Sequence, residues 1–165
     1  MKIDKAAAAA AVVDTANPDE IDPWAARDAQ AGAEVEGTKF EWRYGWSLQL
    51  RRLCGWNQKY ASATDRIGRR ADVRKFLNRT KSADYKWTDE DRQFWVGIEM
   101  EQFGAGCLVG WDVKGRDGKP LIMSPANVLM TFERFPDLYG AARAFALDPA
   151  NFAADSTDEA TKSGN

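Results

Sequence analysis

The chain has 165 residues, 44% of them hydrophobic, which is enough for one ordinary domain with its own core. Its 23 Lys and Arg residues and 25 Asp and Glu residues leave a formal net charge of -2, which by itself identifies no class of partner. The chain has no histidine, which excludes the commonest general base and every catalytic triad that depends on imidazole. The two cysteines, Cys54 and Cys107, lie far apart in sequence, so we predict two reduced thiols, no metal site and no cofactor.

The charged residues are unevenly distributed. Residues 43–81 contain eleven Lys and Arg residues but only two Asp and Glu residues. Residues 1–36 contain three Lys and Arg residues and eight Asp and Glu residues. The first 37 residues also have few large apolar side chains to offset the entropy of ordering them. We therefore predict a disordered acidic, alanine-rich arm over residues 1–37, a single domain over residues 38–154 and a polar tail over residues 155–165.

No stretch approaches the roughly 20 apolar residues that span a bilayer. The alanine-rich run from Ala6 to Val13 is weakly apolar, is interrupted by Asp14 and precedes no convincing cleavage site. We expect a soluble, intracellular protein with no membrane partner.

The first predicted element is an aromatic strand. Large side chains alternate with polar residues or glycine at Phe40, Trp42, Tyr44, Trp46, Leu48 and Leu50, which is the period of a strand with one buried face. We predict one strand element here. Further along, the helical spacing of Val73, Phe76 and Leu77 predicts a short basic helix over residues 71–80.

The next predicted helix begins after Thr88, a good N-cap, and Asp91 occupies the capping-box position. Two apolar stripes lie on opposite sides of this helix. One stripe contains Phe94, Ile98, Ala105 and Leu108, and the other contains Val96, Met100, Phe103 and Cys107. Such a helix is either sandwiched in the core or presents one stripe to another molecule.

Three helix starts are predicted in the last third of the chain. Ser124 is an N-cap with Pro125 at the first helical position, Pro136 starts another helix, and Asp148-Pro149 begins a short one anchored by Phe152. The predicted fold class is α+β and mainly helical, with an N-terminal strand element followed by several helices.

The loop between Val109 and Val128 has the glycines, prolines and helix start of a ligand-binding loop, but its side chains do not suit a ligand. A phosphate loop fails because "GRDGKP" ends in Lys119-Pro120, and a calcium loop fails because Lys114 and Arg116 stand where oxygen ligands belong. We predict a turn at Asp117-Gly118. The acidic residues 89–91 are explained by helix capping, so we predict no enzyme.

The segment "LVGWDVKGRDGKPLIMSPANVLMTFERFPDLYGAARAFALDPANF" resembles the closing segment of tail assembly chaperones from long-tailed (siphovirus-type) bacteriophages. The resemblance covers about a third of the chain. It is carried by Trp111, Asp117, Gly118, Pro120, Ser124, Pro125, Pro136, Leu138, Asn151 and Phe152.

This resemblance implies a non-enzymatic factor that binds the long, helical tape measure protein and recruits tail tube subunits in the host cytoplasm. It also implies that the protein is absent from the mature virion. We predict that tape measure helices contact an apolar surface on the helices that follow Thr88 and Ser124, steered by a basic segment. The predicted contact residues are Met100, Phe103, Phe132, Phe135, Tyr139, Arg66, Arg69, Arg70 and Arg74. The same surfaces also allow self-association.

Two other functions remain open from sequence. One is a structural tail-completion or connector subunit of the virion. The other is a nucleic-acid-binding module in the basic segment 43–81, where Trp42, Trp46, Trp56 and Tyr60 accompany the cations. We rank nucleic acid below an acidic protein partner for three reasons: the alternation of these aromatics points them together into a core, the net charge is negative, and the sequence has no named nucleic-acid-binding motif.

Overall fold

A computed structural model describes Gly32 and residues 35–153 of the chain. Within this range the chain forms a mainly helical α+β domain, as predicted, with a three-stranded antiparallel sheet of order β1-β2-β3. The strands are β1 Thr38–Glu41, β2 Ser47–Leu50 and β3 Leu108–Asp112. The helices are α1 Gln58–Gly68, α2 Ala71–Thr80, α3 Asp89–Cys107, α4 Pro125–Arg134 and α5 Pro136–Leu147, with 3-10 turns at Arg43–Gly45 and Pro149–Phe152.

The aromatic segment forms a hairpin, so the prediction of one strand element is wrong. β1 pairs with β2 in the register Phe40 with Leu48. Between them the 3-10 turn places Tyr44 and Gly45 at positive φ, 67° and 69°, and Trp42 N donates to Trp46 O across it at 2.7 Å. Because the alternation of large side chains continues through the turn, the sequence pattern did not reveal the reversal.

Strand β3 follows α3 without a loop and pairs with the inner strand of the hairpin. Leu48 lies opposite Trp111 and Gln49 lies opposite Gly110, with an irregular register between Gln49 and Leu50. The sequence did not predict this strand. It places Trp111 on the sheet, at the start of the loop that leads to α4.

Helix α3 is sandwiched in the core, which is the first of the two alternatives that its two stripes allowed. On one side Met100, Phe103 and Cys107 are buried among the sheet, α4 and α5. On the other side Ile98 packs with Ile67 of α1 and Val73 of α2 in a smaller cluster. α3 therefore joins two apolar clusters. The buried residues of the main cluster are Leu48, Leu50, Met100, Phe103, Cys107, Leu108, Val128, Phe132, Leu138, Tyr139, Ala142 and Ala146.

The predicted helix starts are confirmed. Thr88 Oγ1 accepts from Asp91 N at 3.1 Å, and the Asp91 carboxylate accepts from Thr88 N at 3.0 Å, which completes the capping box. Ser124 Oγ accepts from Asn127 N at 3.2 Å, and Pro125 and Pro136 each occupy the first helical turn. α2 has the predicted bounds, whereas α1, capped by Asn57, was not predicted.

Residues just before the predicted domain start at 38 contact the sheet. Gln49 Nε2 donates to Glu36 O at 2.9 Å, and Arg51 Nε donates to Val35 O at 2.8 Å. The contacts of the sheet therefore extend to Val35. The rest of the predicted arm and the predicted tail lie outside the described residues. Within the described range, no helix is both long and apolar enough to cross a membrane.

Candidate partner-binding groove

The apolar residues predicted to contact a partner are mostly core residues. Met100, Phe103, Phe132 and Tyr139 are buried, and Phe103 and Tyr139 meet edge to face at 5.7 Å. Phe135 is partly buried against Trp46, with ring centroids 5.1 Å apart. The prediction that these residues form an exposed surface is therefore wrong, because their side chains pack in or against the main cluster inside the chain.

A different apolar surface lies between α3 and α4, where the two helices border a groove of about 270 Å³. Its α3 side is formed by small residues, Gly104 and the exposed Ala105. A Cβ on Gly104 would lie 2.7 Å from Val128 Cγ1, so the glycine permits close approach of α3 and α4. The complete lining is Arg66, Glu101, Gly104, Ala105, Leu108, Met123, Ser124, Pro125, Val128 and Leu129. We call this the α3–α4 groove.

Two exposed apolar residues precede α4 in the chain, and one of them, Met123, lines the α3–α4 groove. Ile122 is 80% exposed and Met123, which lines the groove, is 41% exposed. Their backbone is held in place, because Asn127 Nδ2 donates to Ile122 O and Trp111 Nε1 donates to Leu121 O, both at 2.8 Å. The loop therefore presents apolar surface to solvent from a fixed position, which is typical of a contact site.

The four arginines predicted to steer a partner differ in their surroundings. Arg69 pairs with Asp65 at 2.8 Å, and Arg70 pairs with both Asp72 at 2.7 Å and Glu101 at 2.5 Å. The hydrogen bonds from Arg70 lower the pKa of Asp72 to about 2. The charge of Arg70 is thus largely neutralised by two partners, whereas Arg69 has one exposed pair with Asp65.

The other two arginines remain available to a partner. Arg66 and Arg74 are exposed and form no ion pair with another described residue. Arg66 also lines the α3–α4 groove, so it is the predicted arginine that adjoins apolar surface.

The loop between β3 and α4 contains the predicted turn. Gly118 has φ 75°, its N donates to Gly115 O at 3.0 Å, and Lys119 N donates to Asp117 Oδ1 at 3.1 Å. Lys114 bridges to Pro120 in antiparallel fashion. The loop is a short closed turn, which accounts for its Asp-Gly and Lys-Pro steps.

The other residues that carry the resemblance are structural. Leu138 and Phe152 are buried, and Asn151 Nδ2 donates to Phe145 O at 3.0 Å, which ties the last 3-10 turn to α5. Trp111, Asp117, Gly118 and Pro120 shape the loop, and Pro136 begins α5. Ser124 and Pro125 both begin α4 and line the groove.

The acidic residues at the start of α3 act as caps. Asp91 is buried, and its carboxylate accepts from Tyr85 OH at 2.8 Å, from Thr88 N and Oγ1, and from Arg79. The hydrogen bond from Thr88 N contributes most to lowering the pKa of Asp91. Asp89 is exposed and pairs with Arg92. Asp91 is therefore fully engaged in holding the helix start.

Sequence reasoning missed most of the groove, because it is assembled from α1, α3, α4 and a loop. The helical pattern places Ala105 on an apolar stripe and Leu129 on the apolar side of its helix, but it does not show that they meet in one groove. One local signal was present: Ile122 and Met123 are consecutive large apolar residues directly before an N-cap, where a loop is usually polar.

No protein-family model, curated protein or solved structure matches the chain. The resemblance to tail assembly chaperones thus stays a prediction from the C-terminal segment.

Proposed function

We propose that the chain is a non-enzymatic tail assembly chaperone of a long-tailed bacteriophage, which binds the tape measure protein. Two kinds of observation support this proposal. The residues from Trp111 to Phe152 have the order of turns and helix starts that resembles the family. The α3–α4 groove supplies an apolar surface of the kind that a helical partner requires.

The observation that carries the proposal is the α3–α4 groove, lined by Met123, together with the exposed Ile122 next to Met123 in the chain. An amphipathic helix binds by placing side chains at positions i, i+3, i+4 and i+7 into an apolar groove. Ala105 is small and exposed, so it leaves room for these side chains, whereas Gly104 lets α4 pack closely against α3. Covering Ile122 and Met123 removes exposed apolar area from water, which is the main driving force of such a contact.

In this proposal the chaperone acts in the host cytoplasm, where it keeps tape measure helices from aggregating and recruits tail tube subunits to them. It then leaves, so it is absent from the mature virion. Two charged residues line the groove, and Glu101 is already paired with Arg70. The exposed Arg66, which forms no ion pair with another described residue, therefore favours helices that carry carboxylates beside their apolar stripe.

Co-expression with the tape measure protein of the same phage tests the proposal. The native chain is expected to increase the soluble fraction of the tape measure protein and to co-purify with it. Ala105→Glu and Met123→Glu place carboxylates on the apolar groove surface, so each is expected to reduce co-purification at least tenfold, about 1.4 kcal/mol. Both positions are exposed, so the variants are expected to fold.

Leu147→Glu provides the matched control, since Leu147 is 47% exposed at the end of α5, compared with 41% for Met123. This variant is expected to bind as the native chain does. Equal solubility of the tape measure protein with and without the chain contradicts the proposal. Equal loss of binding in all three variants shows that the effect is not specific to the α3–α4 groove and contradicts its role as the binding site.

Mass spectrometry of purified phage particles separates the chaperone from a structural tail-completion or connector subunit. A chaperone is expected to be scarce relative to the tail tube protein. Stoichiometric amounts of the chain in finished particles favour the structural subunit instead.

A further inference from the structure

Trp56 is the most exposed tryptophan among the described residues, with 78% of its surface open to solvent. It lies in the turn between β2 and α1, directly before the N-cap residue Asn57. The sequence argued against nucleic acid because the aromatics of the basic segment were expected to enter a core. Trp42, Trp46 and Tyr60 do pack against the main cluster. Trp56 does not, so that objection fails at this residue.

The surroundings of Trp56 are basic. Trp56, Arg51 and Lys59 line one depression of about 390 Å³. The hydrogen bond from Arg51 Nε to Val35 O, at 2.8 Å, holds this guanidinium at the edge of the depression. Asn57 Nδ2 donates to Arg52 O at 2.8 Å, which fixes the turn that presents the indole. A flat aromatic ring thus stands beside two cations on a well-held backbone.

The positive charge continues along α1. Exposed side chains at spacings of three, four and three residues share one side of the helix: Lys59, Ser62, Arg66 and Arg69. We call this row the α1 stripe. It is about 15 Å long at 1.5 Å per residue. Ala63 and Ile67, on another side of α1, are buried.

Little negative charge offsets the α1 stripe. Asp65 is the acidic residue of α1, and it pairs with Arg69 at the end of the stripe. Lys59 and Arg66 form no ion pair with another described residue. A surface pair such as Arg69 with Asp65 is weak and yields readily to a phosphate. The stripe therefore offers its cations to an anionic partner.

We propose that Trp56, Arg51 and the α1 stripe bind single-stranded nucleic acid. A base stacks on the exposed indole, and the following phosphates lie along Lys59, Arg66 and Arg69. Single strands fit better than duplexes because a duplex hides the faces of its bases. An acidic polypeptide satisfies the cations equally well but provides no flat ring to stack on Trp56. Arg66 belongs to both this site and the α3–α4 groove, whereas Trp56, Arg51 and Lys59 lie outside the groove, and the proposal does not depend on the proposed function.

Fluorescence anisotropy of the full chain with a fluorescein-labelled oligothymidylate of about 20 nucleotides tests the site. Binding is expected at low salt, with the logarithm of the association constant falling by about 0.7 per phosphate contact for each decade of salt. Trp56→Ala is expected to weaken binding about tenfold through lost stacking. Lys59→Glu/Arg66→Glu is expected to weaken binding further and to reduce the salt slope.

Two control variants match these changes elsewhere on the surface. Tyr44 is 72% exposed, and Tyr44→Asn removes its ring while suiting the positive φ of that position. Lys114→Glu/Arg116→Glu changes the net charge by the same amount at two exposed loop positions. Both controls are expected to bind the oligonucleotide as the native chain does, and circular dichroism checks that every variant is folded.

Several outcomes overturn the proposal. They are the absence of oligonucleotide binding at low salt, equal weakening by the control variants, and equal affinity for a duplex of the same length. Competition by polyglutamate as effective as competition by unlabelled oligothymidylate also overturns it, because the surface then recognises acidic polypeptide.

Discussion

Asp91 is a buried carboxylate whose hydrogen bonds join α2, the following loop and α3. It accepts from Thr88, Tyr85 and Arg79, and the backbone N–H of Thr88 contributes most to lowering its pKa. Since the pKa is lower in the folded than in the unfolded chain, ionised Asp91 stabilises the fold above the unfolded pKa of about 3.9. This stabilisation is lost as pH falls through the lower, folded pKa.

Asp91→Asn is expected to lower the melting temperature by several degrees at about pH 7, because the amide cannot satisfy the same donors. The difference from the native chain is expected to be smaller at about pH 3, which is below the unfolded pKa of about 3.9, because the stabilisation by the ionised carboxylate declines as pH falls from the unfolded towards the lower, folded pKa. Thermal melts at both pH values measure this. Asp89→Asn, at an exposed position of the same helical turn, is expected to change little, and an equal effect of both variants contradicts the role given to Asp91.

Cys107 is a buried thiol in the main cluster, and burial raises its pKa to about 12. A thiolate is the reactive form, so Cys107 is expected to resist alkylation at about pH 8. Cys54 is only partly buried. Iodoacetamide is expected to label Cys54 in the folded chain and both cysteines in denaturant, as read by mass spectrometry. Rapid labelling of Cys107 in the folded chain contradicts this burial.

Two glycines of α3 are expected to respond oppositely to alanine. A Cβ on Gly106 would lie 2.5 Å from Tyr60 Cα, so Gly106 permits the close approach of α1 and α3. Gly106→Ala is expected to destabilise the fold by about 1–3 kcal/mol. Gly97 has no atom within 4 Å of its would-be Cβ. Gly97→Ala is therefore expected to stabilise by about 0.5–1 kcal/mol. Urea titrations measure both changes, and a neutral Gly106→Ala contradicts the tight contact.

The elements that sequence predicted best have local causes. The capping box of Thr88 and Asp91 and the Ser124-Pro125 start need only neighbouring residues, so they were visible. The hairpin was not, because the aromatic alternation passes through the turn at Tyr44 and Gly45. The sequence did not reveal β3, because its five residues form a strand by pairing with β2, which is distant in sequence.

The partner surface was predicted poorly for a related reason. A helical wheel identifies apolar stripes but not which of them the chain itself covers, so Met100 and Phe103 were assigned to a partner and lie in the core. Ala105 is small and exposed, and it forms part of a groove only because the fold places it beside α4. The opposite holds for Trp56: the alternation of the aromatics predicts a place in the core, but the side chain is 78% exposed.

At the scale of the whole molecule, α3 connects the two apolar clusters into one cooperative unit. Leu138→Ala in the main cluster is expected to destabilise by about 2–5 kcal/mol and Ile98→Val in the smaller cluster by about 0.5–1.5 kcal/mol. Each variant is expected to show one unfolding transition, coincident by circular dichroism and tryptophan fluorescence. Two separate transitions in either variant indicate that the clusters unfold independently.

The sheet also sets the order in which the chain can fold during synthesis. The hairpin is translated first, yet Leu48 pairs opposite Trp111, and Leu53 N bonds to Ala146 O at 2.7 Å. The apolar face of the hairpin therefore leaves the ribosome long before the residues that cover it. Such non-local pairing slows folding and leaves nascent chains prone to aggregation. Phe145 of α5 packs against Phe40 of the hairpin, so the apolar face of the hairpin is fully covered only after α5 has emerged.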